Sequence, residues 1–333
     1  AAPPLGTMNN PIVLEDISAP ITVDVDEDKT VYYKWVAPEA GVLTVTNSTA
    51  IGCINVHSDF FYETVEGEGS VSVPYMLGDV IIIEVSTAFS MDSFTCPAGA
   101  VTFSLETAAA EMIQPPMMPG QSATFGKTLA YGEYAVYAIH PRTIFGFQGK
   151  TVTIADEEGL VVYYNNEYVS DDDGDGMISF TIIPDSNYNC VFIFKNNFEE
   201  WDMVEDLPIH KDLTFEAVIA DPMGSMNNPD TLDLTDTVVT TLSDGSYFYT
   251  WTAETAGTFT FKVNAESNWV FCINNPTAGA YGDNHTSGDE PLVNTETVTV
   301  AAGDVLQIVL GTLDWSAAEI TFEASFVAAE TEA

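Results

Sequence analysis

The sequence predicts an all-β protein made of three tandem antiparallel β-sandwich domains that arise from an internal repeat. Three observations carry this. The stretch YFYTWTAETAGTFTF (Tyr247 to Phe261) has a gapless twin in VYYKWVAPEAGVLTV (Val31 to Val45), and each reads as an alternating strand, a turn ending in glycine, and a second alternating strand. Further landmarks recur in the same order around both copies. Across the whole chain, Val, Ile, Thr, Tyr and Phe alternate with polar residues over short runs, with no helical apolar period.

The first repeat opens with GTMNNP (Gly6 to Pro11), and the last with GSMNNP (Gly224 to Pro229). Each hairpin is followed by a Gly-Asp turn and an apolar strand, LGDVIIIEV (Leu77 to Val85) or AGDVLQIVL (Ala302 to Leu310). Each copy then closes on a Thr-Phe strand, AVTFSLE or EITFEAS. Between them, AAAEMIQPPMMPGQ is rich in Pro and Met and has no strand pattern, which marks a linker. A diverged middle copy follows, with Tyr134, Val136 and Ala138 at the positions of Tyr247, Tyr249 and Trp251. The resulting boundaries are 1–107, a linker at 108–121, 122–221 and 222–333. Trp35 and Trp251 share a strand face with Tyr33 and Tyr249. That alternation assigns both indoles to sandwich cores rather than to a sugar platform.

The 333 residues suffice for several cores, and 46 % hydrophobic with 17 % charged residues is a globular composition. Fifty acidic residues against eight basic ones give a formal charge of −42. Such a surface repels nucleic acid, anionic lipid and acidic polysaccharide, and leaves neutral or cationic partners. No apolar run reaches the roughly 18 residues of a membrane span, so no membrane insertion is expected. The single arginine, Arg142, excludes an arginine cluster for phosphate or carboxylate. The four cysteines are too scattered for a disulfide framework; Cys53 and Cys96 either bridge or stay as two buried thiols.

Catalytic patterns are missing: there is no GxSxG, HExxH, phosphate loop or GxGxxG, and the four histidines share no spacing. No catalytic residues and no required cofactor are therefore expected. One metal candidate exists, since Asp171, Asp173, Asp175 and Gly176 follow the D-x-D-x-D-G order of a calcium loop. The twelfth position is Ile182 instead of a bidentate Glu, and the flanks read as strands. The alternatives are a Ca²⁺ site and an acidic hairpin turn.

The remaining constellation is aromatic. After the Gly-Asp strand each repeat has a polar loop with a large ring: Trp315 in the last, Phe198 and Trp201 in the middle, Phe89 and Phe94 in the first. A second set comprises Trp269 and Tyr281 in the last repeat, and Phe60, Phe61 and Tyr62 in the first. Rings in polar loops suit a carbohydrate, because the apolar face of a pyranose stacks on them while nearby amides and carboxylates bond its hydroxyls. The alternative is that the rings cap sandwich ends or join adjacent domains. Trp201, Trp269 and Trp315 are the expected stacking residues, supported by Phe198 and Tyr281.

The hairpin pattern and the GTMNNP opening resemble repeated β-sandwich modules in secreted proteins of Gram-positive gut anaerobes, in particular the starch-binding proteins of amylosome systems. More distantly, they resemble the pre-peptidase C-terminal sandwich of secreted hydrolases. The resemblance implies a secreted or cell-surface, non-enzymatic protein that binds starch or maltooligosaccharides. It also implies other proteins of a cell-surface glycan-degrading complex as partners. A structural spacer and a polysaccharide hydrolase are the competing readings.

Overall fold

The computed structural model describes residues 3–91, 93, 95–113, 120–139, 147–183, 190–202, 207–234, 238–242, 246–265, 269–276, 280–285, 292–312 and 318–329. Among them the secondary structure is all β, arranged as three pairs of sheets with one shared topology. The chain divides into two compact units, residues 1–117 with 122–219 and residues 118–121 with 220–333. The first unit holds two sheet pairs and the second holds one.

In chain order the first pair is built from β1 (Ile12–Val13), β2 (Ile21–Val25), β3 (Val31–Val36), β4 (Gly41–Asn47), β5 (Gly52–His57), β6 (Tyr62–Glu66), β7 (Gly69–Tyr75), β8 (Val80–Thr87) and β9 (Gly99–Ala109). They form a five-stranded sheet ordered β1-β3-β8-β5-β6 and a four-stranded sheet ordered β2-β9-β4-β7. Only β1 runs parallel to its neighbour. Inward residues of both sheets, among them Leu43, Val45, Ile54, Ile81, Ile83, Val85 and Phe103, are fully buried between them, as alternation in a two-layer sandwich requires.

The second pair follows with β10 (Glu111–Ile113), β11 (Ala123–Leu129), β12 (Tyr134–Ile139), β13 (Thr151–Ala155), β14 (Leu160–Tyr164), β15 (Glu167–Val169), β16 (Met177–Thr181), β17 (Val191–Asn196) and β20 (Leu213–Ala220), plus the ribbon β18 (Glu200–Asp202) and β19 (Leu207–Ile209). Its sheets, β10-β12-β17-β14-β15 and β11-β20-β13-β16, repeat the first topology. Asn165 and Asn166, both left-handed at φ 47 and 67, close the two-residue β14–β15 hairpin. Asparagine tolerates that conformation well.

The stretch expected as a linker is strand for part of its length. β9 runs to Ala109, and residues 111–113 form β10, which pairs parallel with β12. Backbone pairing, not composition, decides here: even a three-residue segment with a Glu-Met-Ile sequence becomes a strand when a sheet edge offers partners.

The middle repeat also corrects the expected alignment by one residue. Ala135, Tyr137 and Ile139 face the second core, whereas Tyr134, Val136 and Ala138 pack with the first core. The parallel edge strand confirms this register, because Ile12 pairs with Tyr33 and Glu111 with Tyr137. Side chains alternate with a period of two, so a one-residue shift exchanges the two faces completely. All six residues of β12 are buried. A strand covered on both sides reads as a continuous apolar run, which is why YAVYAI lacks the alternation of its counterparts.

This second contact fuses the first two sheet pairs. β12 lies over β4 and β7, and Phe61, from the β5–β6 loop, meets Tyr163 at 5.1 Å and Tyr134 at 6.1 Å, both edge-on. The Glu63 carboxylate accepts hydrogen bonds from Lys195 Nζ at 2.7 Å and the Tyr134 hydroxyl at 2.8 Å, and Lys195 Nζ sits 4.9 Å from the Tyr134 ring centre.

The third pair comprises β21 (Asp230–Thr231), β22 (Val238–Leu242), β23 (Ser246–Thr252), β24 (Gly257–Ala265), β25 (Trp269–Asn275), β26 (Ala280–His285), β27 (Leu292–Val300), β28 (Val305–Thr312) and β29 (Ala318–Ala328). They are ordered β21-β23-β28-β25-β26 and β22-β29-β24-β27. Shared small devices mark the first and third pairs as copies. Asp79 and Asp304 accept the amides of Met76 and Ala301 at 2.8 and 2.9 Å, beside the left-handed Gly78 and Gly303. Cys53 and Cys96 are free thiols, each half-buried, and Cys190 is buried.

Candidate functional site

The site sits on the second unit, where β23 delivers Trp251 to the end of the sandwich. Three anchors fix its walls. The Leu232 amide donates to the Thr250 carbonyl at 2.8 Å, holding the residues after β21 against β23. The Tyr247 hydroxyl donates to Asp230 at 3.1 Å, and burial together with this carboxylate pushes the phenol's pKa up. On the other side the Ala253 amide donates to the Asp304 carbonyl, and the Gly303 amide donates back to Ala253, which sets the turn carrying Glu254 and Thr255. Hydrogen bonds from Asn275 and the Ala301 amide hold the Asp304 carboxyl below its usual pKa.

Between these walls lies an open cleft of about 430 Å³, lined by Trp251, Phe326, Leu234, Asp233, Glu254, Thr231, Thr252 and Thr255, with Leu232. Trp251 is half-buried. Its ring lies 4.9 Å from Phe259 and 5.1 Å from Phe326, tilted by 36° and 48°. Phe259 is fully buried and locks the indole from beneath. No basic side chain lines the cleft among the described residues. An apolar floor with a few convergent oxygen groups on its rim is the usual make-up of a small-molecule site.

Sequence reasoning assigned Trp251 to the core along with Trp35. Trp35 is indeed buried, 6 % exposed; its counterpart packs against the third core but is only half-buried and also lines a cleft. The strand pattern is the same in both copies. What differs is the residue across the sheet, a signal readable only once the strands are paired.

The expected stacking residues fare differently. Trp201 lies on β18, Trp269 begins β25 and Tyr281 lies on β26; their side chains, and Trp315 entirely, lie outside the described residues. Phe198 is a correction. It is only 5 % exposed and belongs to the second core, with Lys211 Nζ 3.8 Å from its ring centre. Its backbone is pinned by the buried Asn196, whose side chain accepts the Phe198 amide at 2.9 Å and donates to the Leu129 and Lys211 carbonyls. That buried polar anchor turns the ring inward. In the first repeat Phe61 joins the two sandwiches, while Phe60, Tyr62 and Phe89 are exposed.

Asp171, Asp173 and Asp175 do converge, with one carboxylate oxygen of each lying within 4.8 Å of the others. The same groups accept the loop's own amides. Asp171 bonds Gly174 and Gly176 at 2.7 and 2.8 Å, and Asp175 bonds Met177 at 2.8 Å. The Gly176 amide is the main cause of the lowered Asp171 pKa. Ile182, in the twelfth position, is fully buried, so that position supplies no side-chain oxygen where the calcium loop carries a bidentate Glu.

No protein-family model and no curated protein sequence matches the chain. Solved structures give remote likenesses. One is a chain of Sulfolobus turreted icosahedral virus at 10 % identity, covering 93 % of this chain and 86 % of that one, TM-score 0.24. Another is an anti-sigma factor domain-containing protein from Clostridium clariflavum at 9 % identity, covering 94 % and 87 %, TM-score 0.21. A third, covering 92 % of this chain and 34 % of that one at 11 % identity and TM-score 0.20, is the M60 catalytic domain with two CBM51 domains from Clostridium perfringens ZmpB. Likeness at this level carries no functional argument.

Proposed function

We propose that the chain is a non-catalytic carbohydrate-binding protein, secreted or on the cell surface, whose ligand is a neutral polysaccharide of the starch type. The observation that carries this reading is the open Trp251–Phe326 cleft, whose lining also includes Asp233, Glu254 and three threonines. A pyranose presents an apolar face to the indole and hydroxyl hydrogens to Asp233 and Glu254. The formal charge of −42 favours an uncharged sugar over an anionic one. Stacking on one ring is worth about 1 kcal/mol, so useful affinity needs several contacts or several sites on one polymer.

The spacer reading draws support from the first unit, where Phe61 and Tyr163 serve to join two sandwiches. The two readings part on one experiment: titration of maltoheptaose against tryptophan fluorescence, with pull-down on insoluble starch. A sugar-binding protein shifts its emission and sediments with starch, and Trp251→Ala weakens both effects. A spacer shows neither.

A further inference from the structure

The first repeat contains the elements of the same cleft, and they are closed. Trp35 and Trp251 occupy equivalent strand positions, yet their surroundings differ: Phe259, 4.9 Å from Trp251, stands where the first repeat has Leu43, and strand pairing identifies two further differences. Gly41 pairs with Tyr75 on β7, and Gly257 pairs with Val300 on β27. Leu43 pairs with Thr107 on β9, and Phe259 pairs with Phe326 on β29. Tyr75 thus corresponds to Val300, and Thr107 to Phe326.

In the first repeat the Tyr75 ring meets Trp35 edge-on, 5.1 Å away at 81°, and is itself 1 % exposed. Its phenol is hydrogen-bonded to the Thr107 side chain, and burial, with Glu39 nearby, pushes its pKa up to about 12. The ring tip reaches over Gly41, where a Cβ would come within 2.7 Å of the phenol oxygen. In the third repeat Val300 is buried but has no ring to extend over the indole. The Phe326 ring covers Gly257 instead, where a Cβ would lie 2.5 Å from it, and a cleft of about 430 Å³ remains beside Trp251.

We propose that Tyr75 is a built-in plug, and that the exchange of the Tyr75–Thr107 pair for Val300–Phe326 opens the third repeat's cleft to ligand. Val300 and Phe326 are then the residues that decide which repeat binds, and the first repeat carries a latent site. The ligand assignment rests on the carbohydrate reading above; the plug has a readout of its own, namely access of a small neutral molecule to each indole.

The test uses the full chain and acrylamide quenching of tryptophan emission, with Trp251→Phe and Trp35→Phe versions assigning each contribution. In the unmodified protein Trp251 is quenched and Trp35 is protected. The Val300→Tyr/Phe326→Thr variant, which installs the first repeat's own pair, protects Trp251 and weakens maltoheptaose binding by about ten-fold or more. The reciprocal Tyr75→Val/Thr107→Phe variant exposes Trp35 and adds a second equivalent of bound sugar. Either variant alone tests the idea should the other fail to fold. Unchanged quenching of Trp251 in folded Val300→Tyr/Phe326→Thr protein, or of Trp35 in the folded reciprocal variant, overturns the plug. If quenching changes as expected while no form binds maltoheptaose, the plug stands and the carbohydrate reading falls.

Discussion

Tyr137 meets Phe215 edge-on, with ring centres 6.2 Å apart and planes at 84°. The same contact occurs between Tyr33 and Phe103, at 5.5 Å and 68°, and between Tyr249 and Phe322, at 5.2 Å and 71°. One Tyr from the five-stranded sheet and one Phe from the closing strand therefore tie each sandwich together. Edge-to-face geometry puts the positive rim of one ring on the negative face of the other.

The middle copy of this pair carries a cost that the sequence could shed. The Tyr137 hydroxyl is buried without a hydrogen-bond partner among the described residues, and burial, with Glu111 nearby, pushes its pKa up to about 12. An unmade buried hydrogen bond costs about 1–3 kcal/mol. Tyr137→Phe keeps the ring contact and removes the orphan oxygen. Its thermal midpoint is expected to equal or exceed that of the unmodified protein; a fall of several degrees in calorimetry would contradict this.

Phe61 holds the first unit together. Phe61→Ala removes two ring contacts from a buried site, a loss of about 3 kcal/mol by comparison with other core Phe truncations. The expected result is a lower unfolding midpoint in urea for the first unit. Amide exchange should also rise in β12, whose outer face the ring helps to cover. Unaltered exchange in β12 would show that the two sandwiches dock without it.

Asp171 gives a pH-dependent prediction. Its folded pKa is depressed, mainly by the Gly176 amide. The stabilisation it confers is therefore present above the unfolded carboxylate pKa of about 3.9 and is lost as pH falls through the lower folded value. Asp171→Asn is expected to lower the melting temperature at pH 7, and the gap from the unmodified protein should close in acid below that range. A gap that persists at the lowest pH would assign the effect to the hairpin's shape rather than to its charge.

The same loop predicts the response to metal removal. Its carboxylates already close on the loop's amides, so a chelator is expected to leave the melting temperature unchanged. A drop on adding chelator, reversed by calcium, would show that a cation supplies part of the loop's stability.

Truncating the cleft floor tests the site. Trp251→Ala and Phe326→Ala are each expected to weaken maltoheptaose binding about five-fold, the equivalent of roughly 1 kcal/mol per stacked ring, as read by calorimetry. Equal affinity in both variants would move the binding surface elsewhere on the molecule.

The sequence by itself determined the all-β class, the recurrence of one strand pattern, and the equivalence of Tyr33 with Tyr249 and of Gly41 with Gly257. These are local facts, written in a period of two and in turn glycines, and they need no partner strand to be read. Tertiary structure decided the rest. Tyr134 and Val136 exchanged faces with Ala135 and Tyr137 because a second sandwich covers the outer side of their sheet, and a strand buried on both faces has no polar alternation to fix its register. Phe198 turned inward because the buried Asn196 side chain anchors its backbone. Trp251 became the floor of a cleft while Trp35 was sealed, because the residues that cover an indole arrive from β7 and β9 or from β27 and β29, tens of residues away in the chain. Which ring is covered is a property of strand pairing, and no spacing within a single strand encodes it.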